Sequence, residues 1–288
     1  MNRRELFKTI PALAAATQLR GQSRSKCRLR AGLVAYSFRK ELESKAMTYE
    51  DLIRLASDLG LDGIDTTVYW FPDTSDKYLA SLRRTAFKHA VSLYGIGVRV
   101  QLCRPTPELQ RAEAAEAAKW VDIAVKLGAS HVRVFGGSVP KNATESQAMG
   151  WAVEVLKRAA DYAGSKGILL GVEDDGGLTA TAEPTVELIK RTDSPWAGIN
   201  LDVGNFPKNG YAQVALCVPY AVNVHFKDQV TDETGATVKA DWVRLLSMFA
   251  QGGYKGYISL EYEGNEKPAT AVPRLSADLR RLVQKYSA

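Results

Sequence analysis

A chain of 288 residues, 45% apolar and 24% charged, has the make-up of an ordinary globular protein, long enough for one α/β barrel of about 250 residues. Its formal charge of +6 is concentrated at the start, where residues 1–30 hold eight of the 38 basic side chains and one of the 32 acidic ones. The other 258 residues carry 30 basic and 31 acidic groups, which removes any electrostatic case for a nucleic-acid partner.

The first element is Arg3 and Arg4 followed by a mildly apolar run from Thr9 to Leu19, with Ala12, Ala14 and Ala16 as small residues suited to processing. This order resembles a twin-arginine export leader, and residues 1–29 are read as one, sending the protein to the periplasm. A basic tail on a cytoplasmic protein is the alternative. The run is too short for a transmembrane span. Cys27, Cys103 and Cys217 are odd in number and far apart, so neither a disulfide framework nor a zinc ribbon is expected. Such thiols suit folding in a reducing compartment before export.

From residue 30 to 288 strand and helix patterns alternate. Strand-like runs are Arg30–Ser37, Gly63–Thr67, Leu93–Val98, His131–Phe135, Ile168–Glu173, Gly198–Asp202, Ala221–Phe226 and Tyr257–Glu261. Helical patterns lie between them. Tyr49–Leu59 carries Leu52, Leu55, Ala56 and Leu59 on one stripe, and Glu108–Leu127 stops at Gly128. Trp151–Ser165, Trp242–Ala250 and Thr270–Tyr286 follow. Eight such repeats without a linker predict a single (β/α)8 TIM barrel, one α/β domain over residues 30–288. Gly95-Ile-Gly97 falls inside strand three and opens no glycine-rich helix, so dinucleotide binding is not expected.

Four late runs each end on a side chain able to bind metal: Glu173, Asp202, His225 and Glu261. Their intervals of 29, 23 and 36 residues are about one strand-helix repeat each, so successive strand tips would converge on one point. Three carboxylates and an imidazole suit one divalent cation: Mn²⁺, Mg²⁺, Co²⁺ or Zn²⁺. A lone His225 is more often a satisfied core histidine, and a lone glutamate at a strand end a loop partner; the four together carry the prediction. His131, at the amino end of strand four, reads as structural.

The segments Gly-Val-Glu173-Asp174-Asp175, Asn-Leu-Asp202-Val-Gly-Asn205, Val-His225-Phe-Lys227-Asp228 and Ser-Leu-Glu261 resemble the xylose-isomerase-like sugar isomerase and epimerase superfamily, over about Leu33 to Leu282. The resemblance implies a metal-binding barrel with Glu173, Asp202, His225 and Glu261 as ligands and a small-molecule sugar or sugar derivative as partner. It implies proton transfer next to a carbonyl through an enediolate, with Glu173 and Glu261 exchanging the acid and base roles. Two departures separate the chain from many relatives. Asp174-Asp175 stands where they have Asn-His, and Asn205 where some have histidine.

Further substrate-binding candidates are Arg133, Asn205, Lys227, Trp70, Tyr36 and Asp175. Arg133 reads equally as half of a structural ion pair, Lys227 as a strand cap, and Trp70 with Phe71 as core or lid. Competing with the isomerase are a metal-dependent lyase or hydratase on keto-sugar glycosides, which shares the first step, and a sugar-binding barrel without turnover. A trinuclear DNA-repair site would need more histidines. The oligomeric state, homo-oligomers included, is left open by the sequence.

Overall fold

The computed structural model describes residues 27–287. The export leader expected over residues 1–29 lies, up to its last three positions, outside the described residues. Eight parallel strands close into one barrel: Arg28–Val34, Gly63–Thr67, Ser92–Gln101, His131–Phe135, Leu169–Glu173, Ala197–Asp202, Ala221–Phe226 and Lys255–Leu260. The first strand is paired with the last from Arg28↔Lys255 to Leu33↔Leu260, which removes both sheet edges. All eight expected strands are present in the expected order. Their ends shift where the chain turns early or late. Strand one stops at Val34 because Ala35–Phe38 winds into a 3-10 turn, and strand three continues to Gln101.

Period-two alternation builds the two surfaces of the barrel wall. Ile64, Val132, Val134, Leu170, Val172, Ile199, Leu201, Val224, Phe226, Ile258 and Leu260 are fully buried in the apolar core. Phe226, for example, packs on Trp242 and Phe249 of the helix Trp242–Gln251. Burying a side chain of this size contributes about 1.5–3 kcal/mol. The surrounding helices begin where their caps say they should. Thr48 and Asp51 form a reciprocal capping box ahead of Tyr49–Asp58, and Thr144 with Gln147 does the same for Glu145–Ser165. Pro107–Leu127 ends at Gly128, whose φ of +83° is the left-handed stop that glycine adopts without strain. Helices Asp76–Lys88, Ala182–Thr192, Gly210–Cys217 and Pro268–Tyr286 complete the repeats. A small antiparallel hairpin, Gln229–Thr231 with Thr237–Lys239, follows strand seven and was not expected. Among the described residues no helix is long and apolar enough to cross a membrane. Cys27, Cys103 and Cys217 are buried free thiols.

Large polar side chains in the barrel fit because glycines on neighbouring strands leave them room. A Cβ on Gly95 would lie 3.1 Å from the Asp65 carboxyl carbon, one on Gly97 2.8 Å from an Arg133 guanidinium nitrogen, and one on Gly171 2.3 Å from His131 Nε2. Gly95-Ile-Gly97 therefore serves as a pair of notches in the barrel wall.

Candidate metal centre

The strand register gathers the four residues expected to bind metal at one rim of the barrel. Glu173 and Asp202 are the last residues of strands five and six, His225 is the penultimate residue of strand seven, and Glu261 directly follows strand eight. Glu173 pairs with Asn200, Asp202 with His225, and Ser259 with His225, the stagger of a tilted barrel. All four side chains are buried. One ligand atom from each of Glu173, Asp202 and His225 falls within a group no wider than 4.8 Å. Glu261 stands just outside it, its Oε2 3.7 Å from His225 Nδ1, while Glu173 Oε1 is 3.0 Å from that nitrogen.

These residues suit a divalent cation on the state of their own atoms. His225 Nδ1 and Asp202 Oδ2 are buried and, among the described residues, have no hydrogen-bond partner despite charged neighbours close by. Buried polar atoms without hydrogen-bond partners are costly, and ligand atoms held at about 2.0–2.6 Å from a shared ion would span a cluster of nearly this width. The imbalance of charge reads the same way. Burial pushes the Glu261 carboxyl up to about 8. Burial also disfavours charge on His225, yet Glu261, Asp65 and Glu173 around it hold its imidazole protonated well above the usual range. Burial raises the Glu173 carboxyl, but Arg133, His225 and Lys227 together outweigh it and hold that carboxyl below its ordinary value.

Lys227 is the nearest positive charge to this cluster. Its Nζ lies 3.0 Å from Asp202 Oδ2, 2.8 Å from Glu263 and 3.6 Å from Glu261, and donates to Asn205 Oδ1 at 2.7 Å. Burial opposes its charge, but Asp202, Glu261 and Glu263 hold the ammonium protonated. Arg133 is buried, with Nε 3.3 Å from Glu173 Oε2, and it donates to the Tyr69 hydroxyl at 3.0 Å.

Above the cluster opens a cavity of about 800 Å³, within the usual range for small-molecule sites. Tyr36, Trp70, Arg133, Glu173, Asp175, Asp202, Asn205, Lys227 and Glu261 line it, so nine of the ten residues singled out from the sequence share one chamber. His225 lies beneath its floor. Trp70 stacks on Tyr36 with ring centroids 5.9 Å apart, whereas Phe71 turns away to pack on Tyr49 and Tyr78. The two acids after Glu173 also part. Asp175 faces the cavity, its carboxyl raised by burial and by Glu173, while Asp174 accepts the Asp202 backbone N–H at 2.7 Å and supports the loop from below.

Sequence reasoning missed Asp65, Tyr69, Arg99 and Glu263. Tyr69 and Arg99 line the cavity together, the guanidinium 3.9 Å above the ring. Asp65 lies below it in contact with His225. The only signal for Asp65 was an acid in the otherwise uncharged run Gly63–Thr67.

A profile of the xylose isomerase-like TIM barrel family matches residues 53–282. No curated protein sequence matches the chain. Among solved structures, a xylose isomerase-like TIM barrel protein from Mycobacterium smegmatis in complex with magnesium is 19% identical, with a TM-score of 0.71 over 90% of this chain and 98% of that one. The 3-keto-D-glucoside 4-epimerase of E. coli is 12% identical, with a TM-score of 0.70 over 88% of this chain and 100% of that one. D-psicose 3-epimerase from Clostridium cellulolyticum H10, solved with D-tagatose, is 16% identical, with a TM-score of 0.69 over 90% and 95%. The chain belongs to the xylose isomerase-like TIM barrel family.

Proposed function

We propose that the protein is a divalent-metal-dependent sugar epimerase or isomerase that moves a proton on a carbon next to a carbonyl. The observation that carries this reading is that Glu173 and Glu261 approach His225 Nδ1 to 3.0 and 3.7 Å and both line a chamber large enough for a sugar. Glu173, Asp202, His225 and Glu261 would hold the cation. When bound, it supplies acidification of the proton beside the carbonyl and offsets the negative charge that develops there. The side chains do the rest. Glu173, beside the Arg133 guanidinium, is equipped to accept a proton, and Glu261, lining the same chamber, is equipped to return one. Lys227 and Asn205 face the same chamber and offer donors and an acceptor to sugar oxygens, while Tyr36 and Trp70 offer an apolar face.

A panel of keto sugars and keto-glycosides incubated with the Mn²⁺-loaded protein in D₂O tests the reading. A stereo-inverted or isomerised product carrying solvent deuterium is expected. An unsaturated product would assign the protein to the lyases. Turnover that survives exhaustive chelation would move charge stabilisation from a cation to the Lys227 ammonium. The twin-arginine-like start makes periplasmic action part of the proposal; finding the protein only in the cytoplasm of its native host would remove it.

A further inference from the structure

Across the barrel from the cluster, Asp65 of strand two makes a contact that the proton-transfer scheme does not use. Its Oδ2 is 3.1 Å from His225 Nε2, and both side chains are essentially inaccessible to solvent. The same oxygen accepts from Asn223 Nδ2 at 2.8 Å. Asn223 precedes His225 by two residues on strand seven, so both point inward from one face of one strand. Asn223 also donates to Asn200 Oδ1 at 2.7 Å, and Asn200 donates to Glu173 Oε1 at 3.1 Å. A continuous buried chain of polar groups thus runs from strand two through strands seven and six to strand five. Gly95, whose missing side chain leaves space beside the Asp65 carboxylate, lets it lie there.

We infer that Asp65 is the positioning residue of the metal centre: by accepting the Nε2 proton of His225 it fixes the imidazole with Nδ1 as the free ligand atom facing Glu173, Asp202 and Glu261. This rests on the metal-dependent reading above. A carboxylate at this place does two things an apolar neighbour could not. It selects which ring nitrogen carries the proton, and it makes the other nitrogen a stronger donor to a cation. The orientation follows from hydrogen-bond geometry and not from distance alone: Nε2 meets the Asp65 carboxylate in that geometry, whereas Nδ1, although 3.0 Å from Glu173 Oε1, has no hydrogen-bond partner among the described residues.

Calorimetric titration with Mn²⁺ separates the possibilities. Asp65→Asn keeps the size and removes the charge, and it is expected to weaken Mn²⁺ binding by about 10- to 100-fold while the metal-free variant unfolds near the wild-type temperature. Affinity within about threefold of wild type would overturn the inference and leave the metal reading standing. Wild type that binds no Mn²⁺ would overturn both. A second measurement does not depend on how the variant folds: long-range ¹H–¹⁵N spectra of Zn²⁺-loaded wild type, whose three histidines make assignment simple. The His225 proton is expected on Nε2 and the metal on Nδ1; the reverse arrangement would overturn the inference.

Discussion

Strands five to eight bring three carboxylates and an imidazole to the cavity floor, whereas strands one to four and the turns after them bring aromatic rings and guanidinium groups. On that second side Arg39 lies 5.0 Å from the Tyr36 ring, Tyr36 stacks on Trp70, Trp70 meets Tyr69 edge-on at 5.7 Å, and Arg99 covers Tyr69. Arg133 closes the row 4.2 Å above Phe135 and joins the two sides through Glu173. The acid side has the groups that proton transfer needs, buried where a weak local dielectric strengthens each charge. The aromatic side has broad, stiff faces that bind by contact area. Division of labour follows: the first should govern turnover and the second substrate binding.

The largest expected effect tests the acid side. Glu173→Gln and Glu261→Gln should each cost about 10³- to 10⁴-fold in the rate of deuterium exchange at the carbon beside the carbonyl, on the order of 4–5 kcal/mol, with circular dichroism unchanged. Exchange within tenfold of wild type in both variants would remove the assigned roles. Arg133→Met tests the bridge between the sides. It leaves Glu173 buried without its guanidinium, and denaturant unfolding of the metal-free protein should show a loss of about 3–5 kcal/mol. A loss below about 1 kcal/mol would show that the ion pair is not what keeps Glu173 charged.

His131 gives a smaller effect with a definite pH signature. It is buried beneath the centre, both ring nitrogens lack partners among the described residues, and burial pushes its pKa down to about 4. In the unfolded chain the same group titrates near 6.5. Between those values the unfolded state binds the proton and the folded state does not, so His131 lowers stability as pH falls from about 6.5 to 4, by on the order of 3 kcal/mol in all. Above 6.5 it has no such effect. His131→Gln should therefore flatten the acid limb of the stability curve relative to wild type in that window. Parallel curves for the two proteins would show that His131 is charged in the fold.

The same two sides differ in how plainly the sequence announced them. Glu173, Asp202, His225 and Glu261 each close an apolar run, and a period of one repeat per ligand is a long-range signal visible without coordinates. All eight strands were legible to within three residues because their burial alternates or runs continuously, although the last three residues read into strand one wind into the 3-10 turn that carries Tyr36. Tyr69 and Arg99 gave no such signal. Tyr69 sits on a 3-10 turn with no period, and Arg99 is an exposed position in a strand read as ending at Val98. Asp65 was hidden for a different reason. Its partners Asn223 and His225 are about 160 residues away, and only closure of the barrel puts them in contact. The notch at Gly95 likewise has meaning only beside Asp65 on the neighbouring strand.

The smallest effect sharpens the comparison most, because it asks whether the aromatic side acts on binding alone. Trp70 contacts Tyr36 and Tyr69 but, among the described residues, none of the four acidic and imidazole groups of the cluster through a hydrogen bond or ion pair. Trp70→Ala should then raise KM by about tenfold, the worth of one stacked ring at about 1 kcal/mol or slightly more, with kcat within about twofold of wild type. Trp70→Phe retains a ring and should recover most of the loss. If instead kcat falls with KM unchanged, the ring matters only once the transition state is reached. Tyr36, Trp70 and Tyr69 would then belong with the proton-transfer side, and the division drawn between the two walls would fail at its clearest residue.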